Sequence, residues 1–334
     1  MLRILCTGDS HTWGQGAAGL TESLDPPAEA GDRRLTGFSF GGYVDCLRRE
    51  AAARTGASFA EWNAKALAKA GGLAFTPPFA LLTGRLTLPF SGALLRLEYA
   101  LDEAPAAFSA SVDGIPVGGG TLPAREKPID CRLLTVPLEE GAHTLTLTVS
   151  RGTLPLYRLE TYAGAVAVVN GGVGSCPCFR YREAHFAEIV RPLRPDVVLC
   201  EAHTINDWIA GAPPEVYAAR LLALLRDCQA AGAAVTLMTV MPILGDQRWQ
   251  GGAPYADYVE ASRSAAAAAG VPLCDASAAF SAALAGLSAQ EAAAQWYDDP
   301  WHPNSRGHRL YAGLLADALT AQGFLPAKNV AGGT

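Results

Sequence analysis

The chain has 334 residues, and 50% of them are hydrophobic, which is enough for one large domain or two smaller ones. The formal net charge of −6 argues against a basic surface for a nucleic acid. No apolar run reaches the roughly 18 residues that a membrane span needs, so neither nucleic acid nor membrane is an expected partner.

The N-terminal segment starts with a short apolar strand, residues 2–6, that runs directly into the tripeptide Gly-Asp-Ser at 8–10. Residues 14–37 are rich in proline, glycine and charge, and they predict a long loop. Residues 40–54 have the apolar spacing of a helix. The segment therefore reads as strand, loop and helix, with a serine at the end of the strand.

The cysteines and the N-terminus bear on the cellular location. No apolar signal core precedes the first strand, and the eight cysteines are scattered, several of them in apolar runs. These features predict a cytoplasmic protein with reduced thiols. Cys176 and Cys178 form the one close pair, which is a weak zinc signal, and no metal is expected.

The middle of the chain, residues 75–162, has a different character. Apolar and polar residues alternate there, which is typical of half-buried strands. Val112-Asp113-Gly114-Ile115 indicates a tight turn between two of them. The segment predicts an all-β sandwich domain that is inserted into the rest of the chain.

The α/β alternation returns after the insert. The expected strands are residues 165–170, 196–200, 234–240 and 271–274, and the expected helices are 180–190, 214–231, 253–269 and 305–322. Such alternation predicts a parallel sheet that is covered on both faces, formed by residues 1–74 and 163–334. Sites in these sheets form at the carboxyl ends of strands, and Ser10 lies at such an end.

A serine hydroxyl becomes a nucleophile when a base takes its proton and a third group orients that base. Asp299 and His302 lie three residues apart near the C-terminus, so the carboxylate can reach the imidazole. Asp298 is the alternative carboxylate. Donors for an oxyanion hole are the Ser10 amide, a glycine amide within 170–175 and the side-chain amide of Asn206.

Four segments resemble the conserved blocks of the SGNH, or GDSL-type, hydrolase superfamily. They are GDSHTWG (8–14), NGGVGS (170–175), TIND (204–207) and DPWHPNSRGH (299–308). The resemblance implies a flavodoxin-like three-layer fold, with no cofactor and no metal. It also implies that Ser10 is the nucleophile, His302 the general base and acid, and Asp299 its orienting carboxylate.

The resemblance also assigns the oxyanion hole to Ser10, a glycine of the second block and Asn206. Two features depart from the family pattern. Thr204 stands where the third block usually carries glycine. In the second block the pattern favours Ser175, and a slip of one residue gives Gly174, which we prefer.

Several nearby residues have two readings. Trp13, Trp208 and Trp301 lie within three residues of a proposed catalytic residue, and they either stack against a sugar ring or pack the loops together. The same two readings apply to Trp249. His203 either packs in the core or lines the pocket. The substrate-binding set is then Trp13, His203, Trp208 and Trp301.

Three other features are interpreted as structural and not catalytic. His308 is expected to be structural, and Asp9 is expected to hold the loop through backbone bonds. The GxGxxG pattern at 14–19 begins several residues after the first strand, so it does not predict a dinucleotide cofactor.

The insert resembles jelly-roll modules found beside the catalytic domains of carbohydrate O-acetyl esterases in this superfamily. A lid or a homo-oligomer contact is the alternative role. The main hypothesis is a serine esterase that removes acetyl or another short acyl group from a small-molecule or glycan ester. The alternatives are a lysophospholipase- or thioesterase-type lipid hydrolase, an acyltransferase with the same residues, and a catalytically inactive carbohydrate-binding protein.

Overall fold

A computed structural model describes residues 1–17, 41–126, 130–245 and 247–328. The described chain divides into two compact units. Residues 57–167 form a β unit, and residues 2–17, 41–56 and 168–328 form an α/β unit. The β unit begins 18 residues earlier than the predicted boundary at 75, because residues 58–63 pair with one of its strands.

The elements follow in chain order. The first part of the chain forms strand β1 (Leu2–Gly8), helix α1 (Ser10–Trp13) and helix α2 (Tyr43–Thr55). The β unit contains β2 (Ser58–Asn63), α3 (Ala64–Gly71), β3 (Ala74–Thr76), β4 (Phe79–Leu82), β5 (Arg85–Ala100), β6 (Ala106–Val112), β7 (Ile115–Leu122), β8 (Cys131–Arg151) and β9 (Leu154–Ala163).

The chain then returns to the α/β pattern. The elements are β10 (Val166–Gly172), α4 (Cys178–Arg180), a π-helical turn (Tyr181–His185), α5 (Phe186–Leu193), β11 (Val197–Glu201), α6 (Thr204–Ile209), α7 (Pro214–Ala230), β12 (Ala234–Met238), α8 (Tyr255–Ala269) and β13 (Leu273–Cys274). The last are α9 (Ala276–Leu284), α10 (Ala289–Trp296), β14 (Tyr297–Asp299), β15 (His302–Pro303) and α11 (Ser305–Ala321).

The sheet of the α/β unit has the strand order β10-β1-β11-β12-β13. β1, β11, β12 and β13 run parallel, with Leu5 opposite Val198 and Leu199 opposite Thr236. All five residues of β11 are buried, as expected for a strand that is covered on both faces. The α/β prediction is therefore confirmed.

This strand order positions the candidate site. Counted in chain order within the sheet, the strands lie 2-1-3-4-5, which is the flavodoxin-like order. The connections from β1 and from β10 therefore leave in opposite directions, and ligands of open α/β sheets bind at the carboxyl end of the strands where this reversal occurs. Ser10 begins the helix that follows this end.

The β unit is built on one antiparallel sheet, in the order β3-β4-β9-β5-β8-β6-β7, with β2 paired to β9. The long strand β5 changes register between Gly92 and Leu94. Phe90 before this point and Leu95 after it belong to the same hydrophobic cluster. The pairing joins the strands into one continuous sheet, and the predicted sandwich stays a prediction.

Several local expectations can be compared with the structure. Asp113 and Gly114 have φ of 52° and 79°, which confirms the tight turn between β6 and β7. Helices α9 and α10 were not predicted, because their nine and eight residues are too few for an apolar spacing to repeat clearly. Most of the predicted loop at 14–37 lies outside the described residues. Across the described chain, no helix has the length and apolarity to cross a membrane.

Candidate active site

The end of β1 presents Ser10 in a tightly packed setting. Asp9 is the N-cap of α1, and its side chain accepts a hydrogen bond from the His11 amide. A Cβ atom at Gly8 would lie 2.1 Å from Thr12 Oγ1 and 2.4 Å from Glu201 Oε2, so only glycine fits there. Ser10 itself is 3% exposed.

Ser10, His302 and Asp299 form one hydrogen-bonded chain. Ser10 Oγ lies 2.8 Å from His302 Nε2, and His302 Nδ1 lies 2.7 Å from Asp299 Oδ2. Because the carboxylate can only accept, Nδ1 carries a proton and Nε2 is left to accept from the serine hydroxyl. This is the arrangement that activates a serine nucleophile.

Asp299 is held in place by its own loop. Its Oδ1 accepts the backbone N–H groups of Trp301 and His302, at 2.8 and 2.9 Å. Burial raises the pKa of the Asp299 carboxyl, but the hydrogen bond and charge of His302, together with the two backbone N–H groups, outweigh burial and leave the pKa below its usual range. Asp298, the alternative carboxylate, is exposed. The structure thus brings Asp299, and not Asp298, to the imidazole.

The third block places Asn206 beside the first block. Asn206 Nδ2 donates to Asp9 Oδ2 at 2.7 Å, and the amide retains a second N–H. Thr204 is fully buried, and its hydroxyl lies 3.0 Å from the Tyr217 hydroxyl. The threonine side chain at the usual glycine position therefore packs into the interior.

The second block is anchored to the first through its backbone. The Val173 amide donates to Gly8 O at 2.9 Å, and Asn170 Nδ2 donates to Thr12 O at 2.9 Å. Ser175 is exposed and has φ of 55°, a left-handed conformation that favours glycine, while Gly174 is buried. The oxyanion assignment to Gly174 stays a prediction.

Sequence reasoning missed Glu201, the last residue of β11. It is fully buried, and its two oxygens accept the Asp9 amide at 2.7 Å and the His203 amide at 2.8 Å. Burial, and then the charge of Asp9, raise the pKa of Glu201 well above its usual value. The one available signal was an acidic residue at the end of an otherwise apolar strand.

Asp9, His11 and Glu201 bring their possible ligand atoms within 4.8 Å of one another, which is a geometry that a metal ion could use. Their polar atoms are already engaged: Asp9 with His11 and Asn206, and Glu201 with two backbone amides. A cation would have to displace these bonds. The donor set fits an internal hydrogen-bond network better than a metal centre.

The predicted substrate-binding residues differ in exposure. Trp13 is 4% exposed, Trp208 is 3% exposed and His203 is fully buried, which favours the interpretation that they pack in the interior, and their contact with a substrate stays a prediction. His203 Nδ1 donates to Cys176 O at 2.8 Å, and burial lowers the pKa of the ring. Trp301 is partly exposed and lies edge-to-face with Trp249, at 5.6 Å between ring centroids.

The comparisons with known proteins can now be added. Residues 150–310 match the model of the GDSL-like lipase/acylhydrolase family. The GDSL-type resemblance is confirmed. The match contains the second, third and fourth blocks, while the block at 8–14 lies outside it. A search of curated proteins found no match.

The fold is also similar to that of solved structures. A peptidoglycan O-acetylesterase aligns with a TM-score of 0.54 and 13% identity, over 96% of this chain and 91% of that chain. An acetylxylan esterase from Geobacillus stearothermophilus aligns with a TM-score of 0.40 and 23% identity, over 46% and 72% of the two chains. At such identities the first alignment shows a shared fold alone.

His308, the last histidine of the fourth GDSL-type block, has a structural position, as expected. Its Nε2 donates to Gln15 O at 2.8 Å, and its Nδ1 accepts the Tyr43 amide at 3.2 Å. This pattern fits only the neutral ring. Burial lowers the pKa of His308 to about 3.

The buried His308 should make the protein sensitive to acid. In the unfolded chain the His308 ring is protonated below pH ~6.5, whereas in the folded chain it is protonated only below pH ~3. The contribution of the neutral ring to stability is therefore fully present above pH ~6.5 and is lost as the pH falls. We expect the free energy of unfolding to fall by up to about 1.4 kcal/mol per pH unit in this window from His308. Urea unfolding at several pH values measures the slope. In the His308→Gln variant the free energy of unfolding should depend less steeply on pH. Equal slopes in the variant and the wild type would refute the assignment of a neutral buried ring to His308.

Proposed function

We propose that the protein is a serine esterase that hydrolyses acetyl or other short acyl esters, with a carbohydrate as the alcohol part. The observation that carries the proposal is the chain from Ser10 through His302 to Asp299 at the carboxyl end of β1. The matched acylhydrolase family supports the reaction class. A carbohydrate ester is proposed by analogy with the peptidoglycan O-acetylesterase that shares this fold.

The reaction follows from the geometry. Ser10 Oγ attacks the ester carbonyl as its proton passes to His302 Nε2, and Asp299 stabilises the imidazolium that results. The tetrahedral intermediate collapses, and His302 returns the proton to the departing alcohol. A water molecule, activated by the same imidazole, then hydrolyses the acyl-serine and releases the acid.

The negative charge of the intermediate requires fixed donors. We assign them to the Ser10 amide, the Gly174 amide and the second N–H of Asn206. The bond from Asn206 to Asp9 fixes the side-chain amide, so its free N–H needs no reorganisation during the reaction.

Asn206→Ala is expected to lower kcat by roughly 10²–10³ with little change in KM, because the lost donor acts on the transition state. Steady-state kinetics with p-nitrophenyl acetate measure both constants. Asn304→Ala, which removes the N-cap of α11, is the matched control and should retain kcat. If Asn206→Ala changes KM and leaves kcat unchanged, the side chain contributes to binding of the substrate and not to stabilisation of the transition state.

The alcohol part is inferred from the aromatic surface beside the site. Trp301 directly precedes His302, and its partly exposed ring lies against that of Trp249. Partly exposed indole rings offer a flat apolar face with a polar edge, which suits a sugar ring.

The substrate test has two arms. Acetate release from a panel of acetylated sugars and glycans should identify a carbohydrate ester that is cleaved with a higher kcat/KM than p-nitrophenyl acetate. In a series of p-nitrophenyl esters, activity should be highest for two to about four acyl carbons. A preference for long acyl chains would favour a lipid or thioester hydrolase, and faster acyl transfer to an added sugar than to water would favour an acyltransferase.

A further inference from the structure

His11, the residue after the proposed nucleophile, has an unusual set of partners. The ring is fully buried on α1. Its Nδ1 lies 3.0 Å from Asp9 Oδ1, and its Nε2 lies 2.9 Å from the backbone oxygen of Trp301. The carbonyl oxygen can only accept, so Nε2 must carry a proton.

The other ring nitrogen faces a carboxylate that is already saturated with donors. Asp9 Oδ1 also accepts the His11 amide at 3.1 Å, and Oδ2 accepts Asn206 Nδ2 at 2.7 Å. The hydrogen bond to His11 is the main influence that holds the pKa of Asp9 below its usual range against the effect of burial. Both oxygens of Asp9 accept N–H groups, as a charged carboxylate does, so we assign the negative charge of the pair to Asp9 and the proton between them to His11.

The protonated ring joins three parts of the site. Through Asp9 it reaches Asn206, and through the Trp301 carbonyl it reaches the residue that precedes His302. Its ring centroid lies 5.3 Å from that of His302, with 36° between the planes. A buried positive charge at this distance disfavours a second positive charge on His302.

We propose that His11 is a positioning residue that carries a permanent positive charge and keeps His302 unprotonated, and so active as a base, at mildly acidic pH. The inference rests on the proposed role of His302 as the general base. Replacement of His11 by a neutral residue would remove the positive charge and leave the negative charge of Asp9 without a cation beside the site. The loss of the positive charge and the uncompensated negative charge both favour protonation of His302.

Other titratable groups surround the rings of His11 and His302. Asp299 faces His302 and stabilises its protonated form, opposing His11. The other titratable groups that contact or influence His11, His302 or Asp9 are Glu201, His203, Cys176, His308, Tyr255 and Tyr311. Burial lowers the pKa of His308 and His203 and raises that of Glu201, Cys176, Tyr255 and Tyr311. These six groups are therefore neutral near pH 7, so they add no charge to those assigned to His11, Asp9 and Asp299.

His308 provides a matched comparison within the same site. Both rings are fully buried. His11 lies against the ring of His302, and the charge of His302 affects the pKa of His308. His308 has one donor and one acceptor partner, whereas His11 has two acceptors. Replacement of His308 by glutamine therefore removes a ring without removing a charge.

The test combines NMR with kinetics. In ¹⁵N-labelled protein at pH 7.5, the His11 signals, identified by their loss in His11→Gln, should show protons on both ring nitrogens. The pH midpoint for titration of His302 should rise by about one pH unit in His11→Gln but not in His308→Gln. The acid limb of kcat/KM should move upward by the same amount. His11→Asn is the second variant if glutamine does not fold.

A single ring proton on His11 at pH 7.5 would overturn the proposal, and the protons are counted in the wild type, with His11→Gln or His11→Asn used only to identify the signals. An unchanged His302 midpoint in the folded His11 variants would also overturn it. Absence of ester hydrolysis in the wild type, with both NMR results as expected, would instead count against the proposed function and leave the charge on His11 in place.

Discussion

Ser10→Ala is expected to lower kcat for ester hydrolysis by about 10⁵-fold or more, because the acyl intermediate of the proposed reaction forms on this hydroxyl. The hydroxyl lies 2.8 Å from His302 Nε2, and this bond disappears in the variant. Hydrolysis of p-nitrophenyl acetate measures the loss, with the thermal midpoint as a check of folding. The change removes one small buried group, so we expect the fold to persist.

Ser281→Ala is the matched control for this substitution. Ser281 is exposed on α9, and its hydroxyl donates to the Ser277 carbonyl 2.8 Å away, so the variant loses one hydrogen bond and no catalytic group. We expect full activity. Comparable losses in both variants would point to instability, and substantial turnover by Ser10→Ala would exclude Ser10 as the nucleophile.

Asp299→Asn should lower kcat by about 10⁴-fold, the second largest expected effect. Its Oδ1 must still accept two backbone N–H groups, so the new amide nitrogen would replace Oδ2 and face His302 Nδ1. Because that nitrogen donates, the imidazole proton would move to Nε2. The base would then have no lone pair for the serine hydroxyl. Kinetics of the purified variant with p-nitrophenyl acetate give the loss.

The neighbouring Asp298 offers a control with the same chemical change. It is exposed, and Asp298→Asn removes the same charge one residue away from Asp299. Activity within about twofold of the wild type is expected. If Asp298→Asn is the inactive variant and Asp299→Asn is active, the orienting carboxylate has been assigned to the wrong residue.

The sequence was sufficient for the parts of the site that depend on local order. The strand that ends at Gly8, and the loop that presents Asp299 and His302, are formed by residues that are close in the chain. The alternation of strands and helices predicted a parallel sheet, whose geometry brings the carboxyl ends of β1 and β11 together. Ser10 and Asn206 could be predicted as neighbours for this reason.

The remaining features depend on contacts between distant residues. Glu201 bonds to the backbone of Asp9, 192 positions away, and a carboxyl at a strand end does not reveal such a partner. The burial of Trp13 and Trp208 likewise results from packing that periodicity does not encode. Residues 58–63 join the β unit only because they pair with β9, almost 100 residues later.

The central claim is that His302 activates the hydroxyl of Ser10. Covalent labelling by a fluorophosphonate, followed by mass spectrometry of the peptides, tests it most directly. We predict one phosphonyl group on Ser10 in the wild type at neutral pH, and almost none in the folded His302→Gln variant. Equal labelling of the two proteins, or a folded wild type that labels at another residue or not at all, would contradict the account.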